Sequence, residues 1–250
     1  MTRRAALVTG ASYGVGAATA LALARAGFDV AVTATRTDNL RDTLASLAAT
    51  GARAVPLCLD LRAQGSIGEA FATALTALGR LDVLVNNASV NLRKAAAEVT
   101  PDDWNTVIET NLGGTFFLSQ QAGRHWMATR EPGCIVNIAS AHGLVGAVER
   151  STYGISKAAI IHMTKMLAVE WADHAIRVNA VAPGRMQTDS PSRAEKGSDA
   201  AYMAAMLRRI PLHRLATADE VAAAVCYLAS PQAASVTGQT LVMDGGLTAA

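Results

Sequence analysis

No stretch of about eighteen or more uninterrupted apolar residues occurs in the sequence, so no membrane-spanning helix is expected. Charge of one sign is missing too: 22 Lys and Arg stand against 20 Asp and Glu, and neither gathers in a block. Aromatic residues make up only 4% of the chain. Nucleic-acid-binding modules rely on a basic patch, often with interleaved aromatics for stacking, so no nucleic acid and no membrane surface is expected as a partner. Cysteine is scarce. Cys58, Cys134 and Cys226 are odd in number, far apart, and lie in the apolar runs "VPLCLDL", "GCIVNIAS" and "AVCYLAS", which reads as reduced core thiols. The five His are dispersed and no Cys or His pair has zinc-ligand spacing, so no metal site is expected. Behind Arg3 and Arg4 the run "AALVTG" meets a glycine loop too early for a secretory signal, and the expected location is the cytoplasm.

What is present is a rhythm. Hydrophobic residues make up 51% of 250, enough for a sizeable core in one large domain. "AALVTG" reads as a strand, "VGAATALALARAG" as a helix closed by glycine, and "FDVAVTATR" as the next strand. The alternation continues through "NLRDTLASLAATG", "RAVPLCLDL", "SIGEAFATALTALG" and "LDVLVNNA". Parallel strands need a helical crossover, so this alternation predicts a Rossmann-type, doubly wound parallel α/β sheet of about seven strands, with helices on both faces. "TPDDWNTVIETNLGGTFFLSQQAGRHWM" reads as one long helix with Thr100 as N-cap and Pro101 in its first turn. Later come strands "GCIVNIAS", "IRVNAVAPG" and "GQTLVMDGG", and a last helix, "TADEVAAAVCYLAS", capped by Thr217. No linker or repeat divides residues 1–250, which are expected to form a single domain. At about 185–212 the pattern weakens into a polar loop and one or two short helices, read as a lid over a site.

Two short stretches carry the chemistry. "TGASYGVG" places Gly10, Gly14 and Gly16, with Ser12, Tyr13 and Val15, between a strand and a helix. Glycines there let the backbone approach a pyrophosphate, and the helix end offers free amides and positive dipole. "STYGISKAA" sets Tyr153 and Lys157 four apart, neighbours on one helix face. A phenol has an unperturbed pKa of about 10, and an ammonium within roughly 4 to 6 Å favours the phenolate. Ser140 ends a strand shortly before, so both groups should meet at the carboxyl edge of the sheet.

The glycine spacing, the segment Asn86-Asn87-Ala88-Ser89, Asn111, Ser140, Tyr153 with Lys157, and Pro183-Gly184 resemble the landmarks of the short-chain dehydrogenases/reductases, in the same order over nearly the whole chain. Ser89 stands where that family has glycine. The resemblance implies that Tyr153 exchanges a proton with the substrate oxygen and Ser140 polarises it. Lys157 would also hold ribose hydroxyls, and Asn111 would position a relay water. It further implies cofactor contacts at Asn87, Ala88, Pro183 and Gly184, Thr188 on the nicotinamide carboxamide, and Asp60 with Leu61 around the adenine. After the second strand no acid follows Ala34 and Thr35, and Arg36 comes next; a guanidinium suits a 2′-phosphate, so NADP(H) is favoured. Tyr13 occupies a loop position where many NADP-preferring relatives carry Lys or Arg, so NAD(H) stays the alternative.

Expected substrate contacts are His142, Val145 and Glu149 in the loop before Tyr153, and Met186, Gln187, Tyr202 and Met203 from the lid. The implied activity is hydride transfer to or from a small-molecule carbonyl or secondary alcohol, foremost a ketone or 3-oxoacyl thioester. Alternatives are an NAD(H)-dependent sugar or polyol dehydrogenase and a non-catalytic dinucleotide-binding regulator. Glu131 and His174 lie where carrier-protein reductases show basic residues, which weakens docking of an acyl-carrier protein. A homotetramer follows by analogy.

Overall fold

The structure is a computed structural model, and it describes residues 3–186 and 200–250. Seven strands are β1 (Arg4–Val8), β2 (Phe28–Ala34), β3 (Ala54–Cys58), β4 (Val83–Asn86), β5 (Gly133–Ile138), β6 (Ile176–Pro183) and β7 (Thr240–Met243). They form one sheet in the order β3-β2-β1-β4-β5-β6-β7, and every pairing is parallel. The order reverses between β1 and β4, which opens a crevice at the carboxyl ends of these strands.

Side chains alternate across the sheet, and the two faces bury different sets. Leu7, Leu84, Ile135 and Val178 pack with residues of α3 (Gln64–Leu78), α5 (Thr115–Thr129) and α6 (Ser151–Glu170). Val8, Val32, Val85 and Val136 pack with α1 (Gly14–Arg25), α2 (Arg41–Ala48) and α8 (Ala218–Ala229). Helices on both faces explain why the strands read as apolar runs.

The remaining α-helices among the described residues are α4 (Pro101–Ile108) and α7 (Ala200–Arg208). Thr100 caps α4: its hydroxyl accepts from the Asp103 amide, and the Asp103 carboxylate accepts from the Thr100 amide. Thr217 and Glu220 form the same reciprocal box on α8.

Two expectations are corrected. The long helix after Pro101 is helical throughout but not α-helical throughout: a π turn, Glu109–Gly114, separates α4 from α5. Gly114 sits against Leu61, where a Cβ would come within 2.4 Å of the leucine Cβ, so the chain is shaped there by a tertiary contact. The cysteines do not share one fate. Cys134 is buried and Cys226 half-buried, but Cys58 is exposed, because β3 is an edge strand and its burial alternates poorly.

Of the lid stretch, residues 187–199 lie outside the described residues, which includes Gln187 and Thr188. Before that gap Met186 bridges to Ala216. Among the described residues no helix is long and apolar enough to cross a membrane.

Candidate active site

Four connections at the carboxyl edge of the sheet carry most of the site, and the ends of β2 and β3 extend it. In the first, between β1 and α1, Gly10 and Gly14 take φ of +64° and +59°, values a side chain rarely adopts. A Cβ on Gly10 would lie 2.7 Å from Ala88 Cα, and one on Gly16 would lie 2.3 Å from the Gly10 carbonyl oxygen. By contrast, nothing lies within 4 Å of a Cβ placed on Gly14. α1 begins after Tyr13 with no side-chain cap and no acid in its first turn, so neither a side chain nor a carboxylate there offsets the positive end of its dipole. Free amides and a positive helix end are what a diphosphate would need. Tyr13 itself is 55% exposed.

The second connection, after β4, is laced to the first. Thr9 Oγ1 accepts from the amides of Asn87 (2.9 Å) and Ala88 (3.0 Å), and Asn87 Nδ2 donates to the carbonyls of Thr9 and Gly10, both at 2.9 Å. Below them runs a buried polar chain. Asn86 Nδ2 donates to Ser119 Oγ (2.9 Å) and Asn137 Oδ1 (2.8 Å), and Asn137 Nδ2 donates to Thr164 Oγ1 (2.9 Å). These bonds satisfy polar groups that would otherwise be costly to bury. Ser89 is exposed, which accounts for its tolerance in a place expected to hold glycine.

At the ends of β2 and β3, Thr35 and Arg36 are exposed. The Thr35 carbonyl accepts from Cys58 Sγ at 3.1 Å. Arg36 approaches Asp38 no closer than 3.7 Å, and the side chains of both are 76% exposed, so the pairing is weak. Asp60 turns on itself, Oδ1 accepting from the Arg62 amide at 2.9 Å; the residue that caps α3 is Ala63. Leu61 is buried beneath the π turn.

The third connection and α6 carry the candidate proton-transfer groups. Ser140 is 7% exposed, and its hydroxyl accepts from the His142 amide at 3.2 Å, which leaves the hydroxyl proton to be aimed elsewhere. Tyr153 is the third residue of α6. Lys157, one turn on, is 3% exposed and places Nζ 5.7 Å from the Tyr153 ring centroid. That amine donates to the Ile138 carbonyl at 2.8 Å, and burial pushes its pKa down from 10.5 to about 8. The ring of His142 meets Tyr153 edge-on at 6.3 Å.

Asn111 lies in the π turn, 1% exposed. Its Oδ1 accepts from the Val90 amide (2.7 Å), and Nδ2 donates to the Val90 carbonyl (2.9 Å) and to Ser156 Oγ (3.0 Å). Ser156 in turn donates to the Tyr153 carbonyl at 2.7 Å. Ser156 was not among the residues expected from the sequence. Its signal is its spacing, three after Tyr153 and one before Lys157.

Toward the mouth, Val145 is 39% exposed, and Glu149 takes a φ of +60°, a strained value for a non-glycine. The Glu149 carboxylate pairs with Arg93 (2.5 Å), while its carbonyl accepts from the Lys94 amide (3.1 Å). Arg150 bonds Asn91 across the same gap. Loop 89–95 and the approach to α6 are thereby stitched together. Met186 is half-buried against the core, and Met203 is half-buried on α7; Tyr202 belongs to the same helix. The fourth connection follows β6: the Gly184 amide donates to the Met243 carbonyl at 2.9 Å, and a Cβ there would meet Asp244 at 2.7 Å. Pro183 is buried.

Comparison with known proteins finds relatives over nearly the whole chain. A family model described as enoyl-(acyl carrier protein) reductase matches residues 10–248. The 3beta-hydroxysteroid dehydrogenase 1 of Eggerthella lenta is 37% identical, over 97% of this chain and 92% of its own. A short-chain type dehydrogenase/reductase from Mycobacterium marinum superposes with a TM-score of 0.93 at 34% identity, covering 99% of this chain and 96% of that one. The actinorhodin polyketide ketoreductase, solved with NADPH, gives a TM-score of 0.93 at 38% identity, with 98% and 97% covered.

Proposed function

Because the chain belongs to the short-chain dehydrogenase/reductase family of oxidoreductases, whose members act on small molecules, we propose that it is an NADP(H)-dependent reductase of ketones or 3-oxoacyl thioesters, with Tyr153 as general acid. The observation that carries this reading is the buried Lys157 amine beside the Tyr153 ring, in a connection that also presents Ser140.

When bound, the reduced nicotinamide supplies a hydride to the carbonyl carbon. Tyr153 gives its phenolic proton to the carbonyl oxygen, so the product is a secondary alcohol and the tyrosine is left as phenolate. Lys157, charged below about pH 8, stabilises that phenolate. Ser140 donates to the oxygen as negative charge grows on it. Asn111 has its side-chain amide fully engaged with Val90 and Ser156, so it would steady a relay water through its main-chain carbonyl. Gly10, Ser12, Tyr13, Gly14, Val15 and Gly16 would cradle the diphosphate, with Asn87, Ala88, Pro183, Gly184 and Thr188 toward the nicotinamide. Thr35, Asp60 and Leu61 would border the adenosine. NADP(H) is favoured over NAD(H) by the exposed, weakly paired Arg36 and by the likeness to a ketoreductase solved with NADPH. His142, Val145, Glu149, Met186, Gln187 and Tyr202 would line the substrate side, in a single domain with a lid at about 185–212.

The test follows reduced-cofactor absorbance with NADPH and NADH in parallel, against ketones, 3-oxoacyl thioesters and sugars. NADPH consumption by the native chain, and a fall of about 10²- to 10⁴-fold in Tyr153→Phe with cofactor binding retained, is the expected result. Cofactor binding without turnover on any carbonyl or alcohol would favour a dinucleotide-binding regulator instead.

A further inference from the structure

Ser156 is completely buried, and its hydroxyl touches two groups that matter to the chemistry without meeting substrate or cofactor. The bonding capacity of a hydroxyl is small: one proton to give and lone pairs to receive. The Tyr153 carbonyl can only accept, so the 2.7 Å contact consumes the Ser156 proton. What Ser156 turns toward Asn111 is therefore a lone pair, and the amide atom 3.0 Å away has to be the nitrogen. Val90 demands the same orientation: Oδ1 receives the Val90 amide proton at 2.7 Å, and the second Nδ2 proton reaches the Val90 carbonyl at 2.9 Å. A flipped amide would set acceptor against acceptor at Ser156 and donor against donor at Val90. Asn111 is 1% exposed and Ser156 0%, so these bonds form away from bulk solvent.

We propose that Ser156 is a positioning residue: its hydroxyl bridges the Asn111 amide, which Val90 already orients, to the Tyr153 carbonyl, and so locks the π turn, the loop after β4 and the first turn of α6 into one registered unit. These three elements bear Asn111, Asn87 and Tyr153, the residues that must hold a common geometry for proton transfer next to a bound dinucleotide. Alanine at 156 keeps the helix, since it is the best helix former, and removes only the hydroxyl. It frees the Tyr153 carbonyl and leaves one Asn111 proton without an acceptor. The inference rests on the reading of Tyr153 as proton donor, and its test is arranged so that the two can fail separately.

The experiment compares native, Ser156→Ala, Asn111→Ala, the double variant and Tyr153→Phe, with thermal melts to verify folding. Ser156→Ala is expected to lower kcat about tenfold, the equivalent of one buried hydrogen bond, with cofactor Kd and substrate KM within about twofold. The ionisation seen in its pH–kcat profile should move, and Asn111→Ala should remove most of the additional effect of Ser156→Ala. Independently of turnover, amide hydrogen exchange across residues 88–92 should quicken in Ser156→Ala, because the Asn111 amide that receives the Val90 proton is then no longer tied to α6. If Tyr153→Phe collapses activity while Ser156→Ala retains native kcat, or if the effects of 156 and 111 simply multiply, the positioning role is overturned and the tyrosine reading stands. If no variant or substrate shows turnover, the exchange measurement decides alone: unchanged protection at 88–92 overturns the proposal, and faster exchange supports it.

Discussion

At the scale of the residue, the amine of Lys157 lies where water does not reach it, and its linkage to stability has a definite sign. In the unfolded chain it titrates near 10.5, in the folded cofactor-free protein near 8. Between those values the unfolded chain binds the proton and the folded one does not, so stability from this group rises with pH across that window and is flat below about pH 8, where the burial penalty is felt in full. The drop corresponds to about 3 kcal/mol at 1.36 kcal/mol per pKa unit. Denaturant titrations of the native chain and Lys157→Met from pH 7 to about 10 should converge or cross by that order as pH rises; parallel curves would contradict it. The position of Lys157 was legible from a four-residue spacing, because helix geometry alone brings i and i+4 together. Cys58 was misread for the opposite reason: its apolar neighbours say nothing of whether their strand ends up at the edge of the sheet. Ser156 was missed because its partners, the Tyr153 carbonyl and the Asn111 amide, are set by how two elements meet.

At the scale of the element, the caps are the best-determined features. Thr217 Oγ1 accepts from the Glu220 amide at 3.2 Å, and Glu220 returns a bond to the Thr217 amide at 2.8 Å while pairing with Arg214 at 2.7 Å. Thr217→Ala should lower unfolding free energy by about 1 kcal/mol, measured by chemical denaturation, since it leaves an amide of the first turn without its acceptor. Thr100, Pro101 and Thr217 were all readable because capping is local chemistry. The break at Glu109–Gly114 was not, because no proline marks it, and the crowding of Gly114 on Leu61 comes from a distant stretch of chain. The strand order was legible only as a class: alternation demands parallel pairing, whereas the site depends on β1 lying next to β4.

At the scale of the whole molecule, the helical layer around α4–α6 leaves several large apolar side chains exposed. Trp104 is 41% exposed, Phe117 38%, Ile155 50%, Met166 48% and Val169 80%. A partner copy would cover such side chains if the homotetramer expected by analogy forms. Light scattering behind size exclusion should give four times the 25.9 kDa chain mass, and Met166→Glu with Val169→Glu should reduce it; an unchanged mass in that variant would place the interface elsewhere. Trp104 and Phe117 stand on opposite sides of the π turn, on α4 and α5. That turn acts as a gear tooth: one inserted residue advances everything before it by about 100° relative to everything after it, the angle a single residue subtends in an α-helix. Deleting one residue between 109 and 114 would therefore be a phase error. The chain would keep its helices and its hydrophobicity, yet Trp104 would swing to another heading while Phe117 kept its own, and Asn111 would point away from Val90.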